Sequence, residues 1–226
     1  MNLILPKQPR EVDFTRPYLA VCEGMSDATF VSRLLQHAGR NNCSVGCPSD
    51  ESAGGQGIER IPGYLAAVRT ITKGRGVLRG IVVVADADRS ARRRFKLVAQ
   101  GLSAAEFPGP RAPFRIYDHD QFRVAVYLIP KQGGRGTLDH LLLEAALKKN
   151  PRLAGCLEEF CSCTKRVKTW KSNERAKMRL SALVAASCQK NPWASANTMW
   201  SYKGCPVSIT SSCFDAIRTF LFDFTA

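Results

Sequence analysis

Residues 80–88, GIVVVADAD, decide the fold class of this chain. The apolar run is continuous and largely β-branched, which is typical of a strand buried on both faces of a parallel sheet. The next segment, RSARRRFKLVAQGL at 89–102, is predicted to be a helix that begins after Ser90 as its N-cap. Its apolar stripe is formed by Phe95, Leu97, Val98 and Leu102. A buried strand that leads directly into a helix predicts one unit of an α/β sheet.

The same alternation of strand and helix occurs on both sides of this stretch. YLAVC at 18–22 leads through EGMSD into ATFVSRLLQHAG at 28–39, which has helical apolar spacing. FRIYDHDQFRVAVYLIP at 114–130 predicts two strands, and LDHLLLEAALKK at 138–149 predicts a helix. We therefore predict an α/β fold with a mostly parallel sheet that is covered by helices on both faces.

Weaker signals lie between the first strand and residues 80–88. NNCSVGC at 41–47 predicts a short strand, and GYLAAVRTITKG at 63–74 predicts a helix ended by glycine. The glycine-rich loop SAGGQG at 52–57 fits either a flexible linker or a loop that faces a phosphate.

The composition changes after residue 150. Residues 151–226 are basic and helix-prone, and SSCFDAIRTFLFDF at 211–224 has the pattern of a final amphipathic helix. We predict an α/β domain over 1–150 and a basic, mainly helical C-terminal extension over 151–226 that packs on it.

The length and composition are those of a globular protein with a substantial core, since 45% of the 226 residues are hydrophobic and 23% are charged. The apolar runs are much shorter than the roughly 20 residues of a membrane helix, and no signal peptide pattern is present. We therefore predict a cytoplasmic protein. Its nine cysteines are predicted to be reduced thiols, with structural zinc at Cys43 and Cys47 or at Cys161 and Cys163 as the alternative.

The charge balance favours a polyanionic partner. The chain has 33 Lys and Arg against 19 Asp and Glu, which leaves a formal net charge of +14. Such a surplus suits nucleic acid or a membrane surface, and we expect nucleic acid.

Acidic residues follow two of the predicted strands. Asp86 and Asp88 stand two apart at the end of one strand, and Glu23 follows the other. Parallel strands bring their carboxyl ends to one edge, where clustered carboxylates favour a hard cation such as Mg²⁺. The alternative is that the aspartates are ordinary turn residues. Asp27, near the start of the next helix, is also explained by the helix dipole.

Basic residues are concentrated directly after the second acidic strand end. The cluster consists of Arg89, Arg92, Arg93, Arg94 and Lys96. It suits contacts to nucleic-acid phosphates, with a solvated helix face as the alternative. A second basic tract at 164–179 contains Trp170, which is predicted either to stack on a base or to lie in the core.

Three segments together resemble the TOPRIM family. LAVCEGMSDATFVSRLL at 19–35 resembles the first TOPRIM motif, a strand that ends in Glu-Gly with an acid four residues later. VVVADAD at 82–88 resembles the second motif. IPKQGGRGTLDHLLLEAAL at 129–147 resembles the segment that follows in small OLD-like proteins. The resemblance covers residues 17–150 and implies a stand-alone TOPRIM domain with a Rossmann-like sheet, similar to the OLD-like nucleases.

The resemblance also implies roles for individual residues. It makes Glu23, Asp86 and Asp88 catalytic. It implies a site for Mg²⁺ or Mn²⁺ formed by Glu23, Asp27, Asp86, Asp88 and Asp139. TLDHLLLE at 137–144 is equally well explained by a Thr or Asp helix cap, and Glu144 is predicted to be solvated. OLD-like nucleases also place a basic residue near the scissile phosphate, for which the candidates are Lys165, Lys168, Lys177 and Arg92 to Arg94.

The resemblance and the charge predict a Mg²⁺-dependent nuclease that acts in defence against foreign DNA or in repair, with DNA favoured over RNA. The alternatives are a non-catalytic nucleic-acid-binding or regulatory TOPRIM module and a nucleotidyl transferase. The sequence has no Walker-type phosphate loop, so an OLD-like role implies either a separate ATPase partner or independent action.

Overall fold

The computed structural model describes residues 13–48, 57–74, 76–130, 134–165 and 169–226. Within them the chain forms two compact units. The first consists of the described residues of Met1–Arg135 together with Ala216–Ala226, and the second is Gly136–Asp215. The boundary predicted after residue 150 lies inside the second unit.

The first unit contains a five-stranded, mostly parallel sheet, which confirms the predicted α/β class. Its strands are β1 (Tyr18–Cys22), β2 (Cys43–Gly46), β3 (Gly80–Asp86), β4 (Ile116–His119) and β5 (Phe122–Ile129). The order is β2-β1-β3-β5-β4, and β4 is antiparallel to its neighbour β5. β5 ends one residue before Pro130, as the sequence predicts. The central position of β3 explains why its residues are apolar on both faces.

Three helices connect the parallel strands of this sheet. They are α1 (Met25–His37), α2 (Ile61–Thr72) and α3 (Ala91–Ala104). A short 3₁₀ helix, Ile58–Arg60, precedes α2. The helix predicted after Ser90 is confirmed, and the Ser90 hydroxyl oxygen accepts a hydrogen bond of 3.3 Å from the backbone N–H of Arg93. This cap fixes the start of α3, which is separated from the end of β3 by four residues.

One face of the sheet packs against α2 and α3. Alternate strand residues point to this face, such as Val21 of β1 and Val83 of β3, which are opposite one another in the register. Val98 and Leu102 of α3 are fully buried in the same cluster. Each such side chain contributes about 1.5–3 kcal/mol to folding through its burial. Phe95 and Leu97, which were predicted to belong to the apolar stripe of this helix, are partly buried against the cluster.

The opposite face is covered by α1 and by a seventh helix, α7 (Asp215–Phe224). Right-handed crossovers place α1 opposite α2 and α3. The ring of Tyr18 contacts the edge of Phe224 at a centroid distance of 5.4 Å, and the ring of Tyr127 lies 5.1 Å from Phe220. Both tyrosines belong to the strand positions that point away from α2 and α3. Helices therefore cover both faces, as predicted.

Polar contacts also hold the end of the chain in the first unit. The side-chain amide of Asn42 donates to the backbone oxygen of Thr225 at 2.8 Å. A guanidinium N–H of Arg123 donates to the backbone oxygen of Phe224 at 2.9 Å. The amphipathic helix predicted at 211–224 is thus confirmed over Asp215–Phe224, and its residues from Ala216 onward belong to the sheet unit.

The second unit is helical. It contains α4 (Leu138–Lys149), α5 (Arg152–Thr164) and α6 (Ser172–Ser187), followed by short 3₁₀ turns at Met199–Ser201 and Ser212–Phe214. Leu142 on α4 and Leu183 on α6 lie in its interior. The ammonium of Lys148 donates to the Ser212 hydroxyl oxygen at 2.6 Å, which ties α4 to the second of these turns.

A search of the described helices finds none that is long and apolar enough to cross a membrane. The nine cysteines are all free thiols. Burial raises the pKa of Cys43 to about 12, so this thiol stays protonated at neutral pH. The loop at 52–57 lies outside the described residues except for Gly57.

Candidate active site at the carboxyl edge of the sheet

The first acid of the site is held between two neighbouring strands. Glu23 directly follows β1, and its backbone N–H donates to the carbonyl oxygen of Val84 in β3 at 3.2 Å. The backbone N–H of Asp86 donates to Oε2 of Glu23 at 3.1 Å. The Glu23 side chain therefore crosses from the end of β1 to the end of β3. The structure brings the two predicted acidic strand ends to the same edge of the sheet.

Arg94 connects this acid to Asp88. One guanidinium nitrogen of Arg94 lies 3.6 Å from Oε1 of Glu23, and another pairs with Oδ2 of Asp88. All three side chains are largely enclosed, with 18% of Arg94, 15% of Glu23 and 26% of Asp88 exposed. Partial burial reduces solvent screening, so these contacts are stronger than those of an exposed ion pair.

The position of Arg94 follows from the phase of α3. Val98 and Leu102, two fully buried residues of that helix, stand four and eight residues after it. Residues four apart lie on one face of a helix, so Arg94 continues the buried stripe toward the N-terminus of α3. That end of α3 follows the carboxyl end of β3, where the acids are. The i, i+4, i+8 spacing was the sequence signal that distinguishes Arg94 from the other arginines.

The backbone at Asp88 is also specialised. Its φ angle of 48° lies in the left-handed region, which aspartate and asparagine tolerate better than most residues. Ala87, the residue before it, is still bonded to the sheet, because its backbone N–H donates to the carbonyl oxygen of Ile129 at 2.8 Å. Asp88 thus acts both as a turn residue and as a partner of Arg94. The backbone agrees with the turn alternative for Asp88, and its role as a metal ligand stays a prediction.

Asp27 lies in the first turn of α1 and is only 8% exposed. Burial raises the pKa of Cys47 to about 11, and the negative charge of Asp27 acts in the same direction. The same charge adds to the effect of burial on the pKa of Cys22. Asp27 therefore lies close to buried thiols at the ends of β1 and β2.

The donor chemistry of the acids suits a hard cation. Glu23, Asp86 and Asp88 offer carboxylate oxygens, which Mg²⁺ and Mn²⁺ prefer. Across the described residues, no group of three or more His, Cys, Asp or Glu side chains is arranged to hold a metal ion. Two of the carboxylates instead contact Arg94, which compensates their charge. The site fits a cation in its donor type, and Arg94 is the cation that it holds here.

The other basic residues of the predicted cluster have a different environment. Arg89, Arg92, Arg93 and Lys96 are exposed. They lie at the N-terminal end of α3, directly after the acidic strand end, so they present positive charge to solvent there. Arg94, which was predicted with them as a phosphate contact, contacts the acids instead.

Asp139 belongs to α4 of the second unit. Burial raises its pKa, and the nearby charges of Lys177 and His140 act against that increase. Thr137 and His140 form a capping box around the start of α4, so Thr137, rather than Asp139, is the N-cap residue.

Other predicted positions are distributed over the second unit. Glu144, Lys165 and Lys177 are exposed, which confirms the solvated position predicted for Glu144. Trp170 exposes 38% of its surface and is therefore not a core residue. Lys168 lies outside the described residues.

Comparisons with known proteins give one match. A family model described as "Protein of unknown function (DUF3226)" matches residues 17–204. No curated protein and no solved structure matches the chain significantly. The matched range includes every acid of the candidate site and the whole of α3.

Proposed function

The chain belongs to the family of unknown function DUF3226, and from the geometry of its acidic site we propose that it is a TOPRIM-type nuclease. In this proposal it uses Mg²⁺ or Mn²⁺ to hydrolyse nucleic-acid phosphodiesters, with DNA preferred to RNA. The observation that carries the proposal is the link from Glu23 to the backbone of Asp86 and, through Arg94, to Asp88 at one sheet edge. Acids at the carboxyl ends of neighbouring parallel strands stand where α/β sheets bind their ligands.

The acids would hold the metal, and the backbone prepares one of them for this role. The N–H of Asp86 fixes the direction of Oε2 of Glu23, which leaves Oε1 to face Arg94. A bound divalent ion supplies Lewis-acid stabilisation of the phosphoryl oxygens and lowers the pKa of a coordinated water. Glu23 and Asp88 would exchange their contacts with Arg94 for contacts with that ion.

Arg94 would then be able to contact the substrate. Its guanidinium presents several N–H donors in a planar fork that matches the oxygens of a phosphate group. Released from the carboxylates, it would lie beside the scissile phosphate and stabilise negative charge there. This is the role that the resemblance assigned to an unidentified basic residue, and Arg94 is the candidate that the contacts favour.

The exposed basic residues of α3 would hold the nucleic-acid backbone. Arg89, Arg92, Arg93 and Lys96 follow the acidic strand end in the chain and are open to solvent. Contacts of this kind position the duplex or strand without reading its sequence. The net charge of +14 supports the same class of partner. The nine free thiols support a reducing compartment, in agreement with the proposed cytoplasmic location.

A cleavage assay tests the proposal. Labelled single- and double-stranded DNA and RNA are incubated with the purified protein in Mg²⁺, in Mn²⁺ and in chelator. We expect cleavage only with metal, and its loss in Glu23→Gln and Asp86→Asn while circular dichroism shows an intact fold. Glu59→Gln, at an exposed acid of the same unit, is the matched control and should cleave normally. Cleavage by both site variants in chelator would refute the metal-dependent site.

A second candidate is a non-catalytic nucleic-acid-binding module of the same fold. It is favoured by the pairing of Arg94 with two of the acids and by the lack of three converging metal-ligating side chains among the described residues. In the same assay this candidate predicts metal-independent binding with no cleavage. Cleavage in Mg²⁺ or Mn²⁺ therefore separates the two functions, since both candidates bind nucleic acid in chelator.

A further inference from the structure

We propose that the second unit carries a phosphate-binding cleft between α4 and α6. The cleft has a volume of about 220 Å³ and is lined by His140, Leu143, Ser172, Arg175, Ala176 and Arg179. Four of these six side chains are polar or cationic. This inference stands on the second unit alone and does not depend on the acidic site of the sheet.

The imidazole of His140 is oriented as a hydrogen-bond donor toward the cleft. The backbone N–H of Thr137 donates to Nδ1 of His140 at 3.2 Å, so Nδ1 carries the lone pair of a neutral ring. The proton then resides on Nε2, which lies 3.1 Å from the Ser172 hydroxyl oxygen. Because Ser172 accepts this hydrogen bond, its own O–H can donate to a ligand.

The same tautomer argues against a Ser-His nucleophile. A general base at Nε2 would need a lone pair there to take the proton of Ser172, and that position carries hydrogen instead. Burial also lowers the pKa of His140, which keeps the ring neutral. The pair therefore supplies one donor for binding, the O–H of Ser172.

Arg179 also lines the cleft, and its guanidinium has more N–H donors than one acceptor can occupy. One of its terminal nitrogens donates to Oε1 of Glu158 at 2.6 Å. Its Nε is buried and has no hydrogen-bond partner within the described part of the chain. A guanidinium carries five N–H donors, so the contact with Glu158 leaves others that can face an anion in the cleft. Glu158 offsets part of the positive charge, but its side chain is 66% exposed and therefore well screened by water.

Arg175 adds a second guanidinium to the cleft, one turn of α6 before Arg179. Two guanidinium groups and the Ser172 hydroxyl form a set of donors that matches a tetrahedral oxyanion. The cleft is smaller than the roughly 300 Å³ at which drug-sized pockets begin, so it suits a phosphate group rather than a whole nucleotide. A terminal phosphate monoester and a phosphate of a nucleic-acid backbone share this chemistry.

The experiment measures binding of three probes to the full chain by calorimetry in chelator. The probes are inorganic phosphate and one short oligonucleotide prepared with either a 5′-phosphate or a 5′-hydroxyl. We expect Arg175→Gln and Arg179→Gln each to weaken phosphate binding by about tenfold or more, as the loss of a charged hydrogen bond implies. Arg152→Gln, an exposed arginine of α5, is the matched control and should bind like the wild type.

The two oligonucleotides identify the source of the phosphate. Tighter binding of the 5′-phosphorylated strand, lost in both cleft variants, assigns the cleft to a terminal monoester. Equal binding of the two strands, weakened by both variants, assigns it to the backbone. Ser172→Ala, which leaves both arginines in place, should reduce affinity less than either arginine variant. Phosphate binding that is absent, or that is unchanged in both arginine variants, overturns the proposal whatever the outcome of the cleavage assay.

Discussion

The backbone N–H of Asp86 donates a hydrogen bond of 3.1 Å to Oε2 of Glu23, so the last residue of β3 fixes the side chain that follows β1. Oε1 of the same carboxylate faces Arg94 at 3.6 Å. Oε2 of Glu23 therefore holds the ends of β1 and β3 together, and Oε1 is available to contact a cation. Its structural and chemical roles can be separated by substitution.

Glu23→Gln should be more stable than Glu23→Ala. The amide oxygen of glutamine can still accept from the N–H of Asp86, whereas alanine leaves this part-buried donor without its acceptor. An unsatisfied buried donor costs about 1–3 kcal/mol, and we expect the free energies of unfolding to differ by that amount. Urea unfolding in chelator measures the difference. Equal stability of the two variants would mean that the hydrogen bond contributes little.

Arg94→Met should increase the response to metal. The substitution keeps the apolar stem of the side chain but leaves Glu23 and Asp88 without their cation, so we expect a loss of about 1 kcal/mol of stability in chelator, the upper end for partly exposed ion pairs. A divalent ion then no longer competes with the guanidinium, and its addition should raise the melting temperature more than in the wild type.

The control for this prediction is Arg92→Met, at an exposed position of the same helix. It should melt like the wild type with and without Mg²⁺ or Mn²⁺. If Arg94→Met and Arg92→Met respond to metal to the same extent, Arg94 does not occupy the place of a metal ion.

The exposed arginines of α3 should determine the salt dependence of nucleic-acid binding. Each phosphate contact contributes about 0.9 to the slope of log K against log salt for duplex DNA, so replacing Arg89, Arg92 and Arg93 by Gln should reduce the slope by up to roughly 3. Binding isotherms at several salt concentrations measure it. The matched control replaces Lys73, Arg111 and Arg115, which are exposed elsewhere in the same unit. Equal slopes for the two triple variants would assign the α3 arginines to a solvated face.

Asp139→Asn should stabilise the protein at neutral pH. Burial raises the pKa of Asp139 above its ordinary value of 3.8, so the folded state binds this proton more tightly than the unfolded state does. The stability from this group is therefore fully present below pH 3.8 and is lost as the pH rises through the folded-state pKa. Asparagine cannot ionise and avoids that loss. Melting temperatures should diverge with rising pH and converge in acid.

The same variant tests Asp139 as a metal ligand. If Asp139 contributes to the metal site, Asp139→Asn should gain less thermal stability from Mg²⁺ than the wild type gains. An equal gain would leave Asp139 as a residue of the α4 helix start alone.

The strands and helices of the sheet were predictable because their signals are local. The run at 80–88 is apolar on both faces, and Ser90 precedes a helical stripe that contains Val98 and Leu102. Such patterns depend on the period of one element and do not require knowledge of its neighbours. The position of the acids at one sheet edge could also be predicted from the sequence, because parallel strands run in the same direction and their carboxyl ends lie together.

The contacts between distant elements were not predictable in the same way. Arg94 was one of five similar basic residues, and its selection depends on the phase of α3 relative to the strand ends. The cleft of Arg175 and Arg179 depends on how α4 packs against α6. The return of Phe224 to the first unit involves a sequence separation that no local pattern encodes. In each case tertiary packing, and not the local sequence pattern, determines which residues come into contact.

The return of Phe224 and Thr225 to the sheet makes the second unit an insertion within the first. During translation, all five strands leave the ribosome before residues 216–226 are synthesised. Until then the faces of Tyr18 and Tyr127 that pack on α7 remain open to water or to a chaperone. A chain shortened to residues 1–150 would keep every acid of the sheet-edge site and still lack α7, one of the two helices that cover that face of the sheet.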